Sequence, residues 1–129
     1  MQPLPSNALG SPETTCDEAI ALRAARAALD RRASDVVILD LRKITLITDF
    51  FIICHGTSEV QVKAIVEGVR DALEAERRQP LSVEGLAEAC WVLLDYGELV
   101  VHVMAPAERE YYDLERLWGD ARRVPLEGE

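Results

Sequence analysis

Residues 91–104, WVLLDYGELVVHVM, contain two apolar runs separated by a Gly-Glu pair. Gly97 and Glu98 suit the two central positions of a type II′ turn, because that turn needs the positive φ of glycine at its first central position. We therefore predict a β-hairpin in which Tyr96 pairs with Leu99 and the two strands continue outward in that register.

The predicted hairpin has two different faces, because side chains alternate across a strand. The apolar face is assigned to the core and consists of Val92, Leu94, Tyr96, Leu99, Val101 and Val103. The other face mixes apolar and ionisable groups and consists of Trp91, Leu93, Asp95, Val100, His102 and Met104. This mixed face fits either beneath a helix or against a partner, and a slip of one residue would exchange the two faces. We predict that it binds a partner, through Trp91, Leu93, Asp95, His102 and Met104, with Gly97 and Glu98 at the turn.

The segments around the hairpin alternate strand and helix patterns. Apolar runs at 35–41, 50–54 and 81–83 predict three further strands. Helices are predicted at 15–32, with Ile20, Leu22 and Leu29 as the larger apolar side chains, from Ser58 to about residue 78, and from Pro106 to residue 119. This order predicts an α/β fold: a single domain with a mixed β-sheet and flanking helices.

The length of 129 residues is sufficient for one domain with a proper core. Residues 1–15 hold three of the six prolines and are predicted to be a flexible tail, residues 16–121 to form the domain and residues 122–129 to be a C-terminal tail. No stretch resembles a membrane span or an export signal. Because the three cysteines form no Cys-x-x-Cys pair, we expect reduced thiols and a cytoplasmic location.

The charge balance argues against binding to nucleic acid phosphates. The formal net charge is −9, and residues 79–108 contain no Lys or Arg. An acidic surface is usually only a solvated one, and otherwise it suggests a basic partner. We predict no direct contact with DNA.

Few residues suggest catalysis or a cofactor. Gly56, Thr57 and Ser58 join a strand to a helix and could hold an anion, but they form neither known glycine-rich loop and lack a later Asp-x-Asp pair, so a structural turn is favoured. Neighbouring Cys54 and His55 point to opposite faces of a strand. Tyr111, Tyr112 and Trp118 are interpreted as docking the last helix, with a protein interface as the alternative. We predict no catalytic residue, no metal and no cofactor.

Several segments together resemble the ribosomal silencing factor family, also called the Iojap family. They include residues 41–45, 48–53, 56–58, 61–65, 91–97, 100–104 and 112–118. The resemblance spans about residues 16–121, and its most specific part is 91–103 followed by 114–118. The departures are mild: Glu98 stands where Asp is usual, Cys90 precedes the Trp, and Phe50 replaces a common Tyr.

The resemblance implies a fold related to nucleotidyltransferases without their catalytic carboxylates. It also implies binding to the large ribosomal subunit through its fourteenth ribosomal protein, which blocks joining of the small subunit and represses translation when nutrients are short. Isolated members of the family form homodimers. Two alternatives stay open: an assembly factor for the large subunit that uses the same surface, and a nucleotide-binding enzyme that uses residues 56–58 with a carboxylate such as Asp40 or Asp49.

Overall fold

The computed structural model describes residues 18–126, so the predicted tail at 1–15 and the predicted start of the first helix lie outside the described residues. The described elements follow the predicted alternation of helices and strands. They are α1 (Glu18–Asp30), β1 (Ser34–Asp40), β2 (Phe50–His55), α2 (Glu59–Ala75), β3 (Ser82–Glu84), β4 (Trp91–Asp95), β5 (Leu99–Met104), α3 (Pro106–Tyr112), α4 (Leu114–Leu117) and β6 (Arg122–Arg123).

The strands form one six-stranded sheet in the order β3-β4-β5-β2-β1-β6. The pair β2–β5 is parallel and the other pairs are antiparallel, which confirms the predicted mixed sheet. The hairpin register is also confirmed, because Val92 lies opposite Val103 and the Tyr96 N–H donates to the Leu99 carbonyl at 2.8 Å. Gly97 has a φ of +90°, as the predicted turn requires.

The first face of the sheet packs against α1 and α2 and contains the predicted apolar face of the hairpin. Helix α2 begins at the predicted cap, because the Ser58 hydroxyl accepts a hydrogen bond from the Gln61 N–H at 3.1 Å. The fully buried side chains of helix α1 are alanines, and the larger aliphatic residues Ile20, Leu22 and Leu29 pack partly buried against the same cluster. Small side chains let the helix approach its neighbours closely. The alanines are Ala21, Ala24, Ala25 and Ala28.

The second face of the sheet carries a smaller apolar cluster covered by α3 and α4. The predicted single helix after Pro106 is broken at Asp113, which has a left-handed φ of +49° and whose N–H donates to the Arg109 carbonyl. Aspartate tolerates this conformation better than most residues. The break redirects the chain, so α4 packs Leu114 onto the sheet at a new angle.

The sheet also extends beyond residue 121, where the sequence predicted a C-terminal tail. Strand β6 pairs with β1, and Arg122 lies opposite Asp40. The Arg122 guanidinium contacts the Asp40 carboxylate at 3.3 Å, and the Val124 N–H donates to the Ile38 carbonyl. Charge pairing and the buried Val124 thus hold residues 122–124 on the sheet edge.

Candidate functional site

The mixed face of the hairpin belongs to the second face of the sheet, and only part of it is accessible. Met104 is fully buried in the cluster beneath α4, and His102 is also buried, so neither side chain presents a surface to a partner. Trp91, Leu93 and Asp95 on β4 are half-buried, and Trp91 packs partly against the same cluster and against Tyr112 of α3. The predicted alternatives thus both apply: part of this face lies beneath helices, and part of it stays accessible.

His102 supports the surface from below. Its Nδ1 accepts a hydrogen bond from the Trp91 indole N–H at 3.1 Å, while its Nε2 is buried without a hydrogen-bond partner. Burial lowers the pKa of His102 from 6.5 to about 4, so the ring is neutral near pH 7. A neutral ring with a free Nδ1 lone pair is what the Trp91 contact requires.

An unbroken row of rings crosses the second face. Phe51 packs edge-on against His102, with ring centroids 4.5 Å apart, and Trp91 lies next to Tyr112 at 4.7 Å. Tyr112 in turn contacts Tyr111 at 4.9 Å, and the Tyr111 side chain is 80% exposed. The row therefore runs from the buried core to solvent and places two tyrosines beside Trp91.

We name the accessible part of this face the β4 surface. It consists of Glu84, Trp91, Leu93, Asp95, Tyr111 and Tyr112. Glu84 lies opposite Leu93 in the β3–β4 pair and adds a second carboxylate near Asp95. The β4 surface thus has aromatic and aliphatic groups next to acids, which is the composition expected for contact with a basic protein.

The sequence favours docking of the last helix by Tyr111, Tyr112 and Trp118, with a protein interface as the alternative, and the structure corrects the docking role for Tyr111. Tyr111 faces outward, whereas Tyr112 packs against Trp91. The break at Asp113 separates both tyrosines from Leu114 and Trp118, which pack on the sheet. Asp113 itself was the available signal, since aspartate is one of the few residues that adopts a left-handed conformation readily.

Gly97 and Glu98 lie at the other end of the hairpin from Trp91. Strand β4 alone separates Trp91 from Asp95 by about 13 Å at the usual rise per residue. Glu98 is half-exposed, and its carboxylate lies 3.4 Å from the Arg78 guanidinium. The predicted partner-binding residues thus extend along the whole hairpin rather than forming one compact spot.

The other candidate groups have structural surroundings. Cys54 is fully buried, and burial raises the pKa of its thiol to about 12, which disfavours a thiolate nucleophile. His55 points elsewhere and contacts the Arg109 guanidinium through Nδ1 at 3.0 Å. The Thr57 N–H and hydroxyl both donate to the Gln61 side chain, and Ser58 caps α2, so the predicted turn at 56–58 is confirmed.

Arg109 is a buried cation that the sequence did not reveal. It donates to the Ser34 carbonyl at 3.2 Å, contacts His55, and forms a 2.6 Å ion pair with Glu115. It thereby ties α3 and α4 to strands β1 and β2 behind the tyrosines of the β4 surface. Within residues 18–126, no group of three His, Cys, Asp or Glu side chains is arranged to hold a metal, and none of the helices there could span a membrane.

Comparison with known proteins gives one consistent result. A family model described as "Ribosomal silencing factor during starvation" matches residues 14–129. The chain is 47% identical over 104 residues to the ribosomal silencing factor of Bacillus subtilis, covering 81% of this chain and 88% of that protein. It is 48% identical over 99 residues to that of Halalkalibacterium halodurans, covering 77% and 85%. A crystal structure of a Chromobacterium violaceum protein is similar with a TM-score of 0.77 and 36% identity, covering 87% of this chain and 92% of that one.

Proposed function

Because the chain belongs to the ribosomal silencing factor family, also called the Iojap family, we propose that it represses translation by binding the large ribosomal subunit. In this proposal the contact is made with the fourteenth ribosomal protein of that subunit, and the bound chain blocks joining of the small subunit. The β4 surface is the part of the molecule that makes the contact.

The chemistry of the β4 surface is the observation that carries this proposal. Trp91 and Tyr112 form a packed aromatic pair, with Tyr111 exposed beside them and the carboxylates of Glu84 and Asp95 nearby. Aromatic anchors near the centre of an interface supply most of its affinity, and charges at the rim steer a partner of opposite sign. Ribosomal proteins are basic, so their side chains complement these acids.

The same surface favours a protein over ribosomal RNA as the partner. Strands β3, β4 and β5 all lie within residues 79–108, which carry five acids and no Lys or Arg. A phosphate backbone would meet repulsion there instead of the cations that it needs. A bound protein that sterically occupies the subunit interface is sufficient to block joining, so the proposed action needs no chemical step. It takes place where ribosomal subunits are, in the cytoplasm.

The homodimer implied by the resemblance fits the same surface. If Tyr111 and its neighbours form the dimer contact, the dimer cannot use the same side chains to bind the ribosome. We therefore propose that dimer formation and subunit binding compete.

Co-sedimentation with purified large subunits tests the proposal, with melting temperature measured beside affinity for each variant. Tyr111→Ala is expected to weaken binding about tenfold without lowering the melting temperature, because the side chain is 80% exposed. The matched control is Val60→Ala, an equally exposed aliphatic residue at the start of α2, for which no change in binding is expected.

Two results would overturn the proposal. One is wild-type chain that neither sediments with large subunits nor reduces their association with small subunits at large excess. The other is binding to naked ribosomal RNA that equals binding to the intact subunit, since the contact would then not depend on a protein.

A further inference from the structure

Three exposed aliphatic side chains surround a notch at one end of the sheet, where the β1–β2 loop meets the turn of the hairpin. Leu46 is fully exposed, Ile47 is 81% exposed and Leu81 is 75% exposed. They line a cavity of about 420 Å³ together with Thr48, Asp49, Tyr96, Gly97 and Glu98. Large aliphatic residues grouped in this way on a surface mark a site of contact. We call this feature the sheet-end notch.

Two carboxylates, those of Asp49 and Glu98, lie at the sheet-end notch, and they differ in whether an ion-pair partner is present. The N–H groups of Asp49 and Phe50 both donate to the Glu98 carbonyl, at 2.9 and 3.0 Å, which brings Asp49 next to Glu98. The Glu98 carboxylate has a partner in Arg78, and the nearby cation Arg42 is bound to Asp40 at 2.7 Å. Among residues 18–126, none forms a side-chain hydrogen bond or ion pair with the Asp49 carboxylate.

The charged form of the Asp49 carboxylate is therefore unfavourable in the unbound protein. Burial and the charge of Glu98 raise the pKa of Asp49 above its usual value and outweigh the opposing effect of Arg42, so the charged form of Asp49 is disfavoured. A cation placed in the notch would reverse this penalty.

Thr48 independently indicates that the notch contains an unsatisfied hydrogen-bonding group. The residue is only 4% exposed and lines the same cavity, yet its hydroxyl oxygen has no hydrogen-bond partner within the described chain. A buried hydroxyl without a partner is uncommon and costs stability. Its oxygen is buried in the unbound protein, so an N–H group that enters beside Asp49 reaches it only when the β1–β2 loop shifts.

We propose that the sheet-end notch binds a Lys or Arg side chain of the ribosomal-protein partner, with the partner's adjoining aliphatic side chain packed on Leu46, Ile47 and Leu81. This inference rests on the proposed function and extends its contact beyond the β4 surface. The entering cation donates to the Asp49 carboxylate, and a shift of the β1–β2 loop would let it donate to the Thr48 hydroxyl as well. The Glu98 carboxylate, which also contacts Arg78, lies beside it. A phosphate group would be repelled by the Asp49 and Glu98 carboxylates and is disfavoured.

The notch is continuous with the β4 surface. Glu98 occupies the turn of the hairpin, and Ser82, which follows Leu81, lies opposite Asp95 in the β3–β4 pair. One partner molecule lying along the hairpin would thus contact Trp91 at one end and the notch at the other.

The affinity of large subunits for Asp49→Asn, compared with wild type, tests the inference. Asparagine keeps the size of the side chain but removes the charge, so we expect binding to weaken about tenfold or more, with a shallower dependence on salt. Stability at pH 7 is expected to stay equal or rise, because a disfavoured charge is removed. The matched control is Asp30→Asn, an exposed acid at the end of α1, for which we expect no loss of binding.

The apolar rim is tested separately with Leu46→Ser and Ile47→Ser combined, against Val60→Ser as the control. We expect loss of binding only for the rim variant. Equal binding of wild type, Asp49→Asn and the rim variant, with Tyr111→Ala impaired, overturns the notch and leaves the proposed function standing. Tighter binding by Asp49→Asn overturns it in favour of a phosphate group, and absence of binding by the wild type overturns both proposals.

Discussion

Lowering the pH from 7 to 5 should destabilise this protein through His102 in particular. The folded-state pKa of His102 is about 4 because the ring is buried, whereas the unfolded value is 6.5. A histidine whose pKa is lowered by folding takes up its proton first in the unfolded chain. The neutral His102 ring therefore causes no loss of folding stability above pH 6.5, and stability is lost progressively as the pH falls from 6.5 toward 4.

The size of the effect follows from the two pKa values. At pH 5 the unfolded imidazole is almost fully protonated, while the folded one is still mostly neutral. The resulting loss of unfolding free energy between pH 7 and pH 5 is about 2 kcal/mol. That is a large fraction of the stability of a small domain.

Urea unfolding of the wild type and of His102→Asn at both pH values measures the contribution of His102 to the loss of unfolding free energy. Asparagine does not titrate and can still accept the hydrogen bond of the Trp91 indole, which is 3.1 Å long in the wild type. His55 and all carboxylates are present in both proteins, so their titration cancels in the comparison. We expect the wild type to lose about 2 kcal/mol more than the variant.

Parallel losses in the two proteins would refute this reasoning. They would mean that His102 is protonated at an ordinary pH within the fold, where its Nδ1 could no longer accept from Trp91. The hydrogen bond from the Trp91 indole N–H to His102 beneath the β4 surface would then be absent.

Two further predictions concern stability. Arg109→Met should lower the free energy of unfolding by about 3 kcal/mol, because Glu115 would lose its 2.6 Å ion pair in a largely buried site. Thermal unfolding measures this loss, with Arg116→Met on the exposed side of α4 as the control. Equal losses in the two variants would contradict the prediction. Gly85→Ala should lower the free energy of unfolding by about 2 kcal/mol or more, because φ is +82° and an added Cβ would clash with the Trp91 carbonyl oxygen. Chemical denaturation measures this loss, and an unchanged midpoint would show that the loop rearranges freely.

The amino-acid sequence by itself determined the features that depend on local pattern. The Gly97-Glu98 turn and the alternation of Val92 and Leu94 with their neighbours identified the hairpin, its register and its core face. The cap at Ser58 likewise identified the start of α2. Turn chemistry and alternation act between residues close in the chain, which makes them readable without the fold.

Only the tertiary structure decided what covers the second face of the sheet. Whether His102 and Met104 face a partner or a helix depends on where α3 and α4 lie, and that depends on the single left-handed residue Asp113. The same holds for the sheet-end notch, where Leu46 and Asp49 meet Glu98 across about fifty residues of chain. Burial and charge environment arise from contacts between distant segments, and a local pattern carries no information about them.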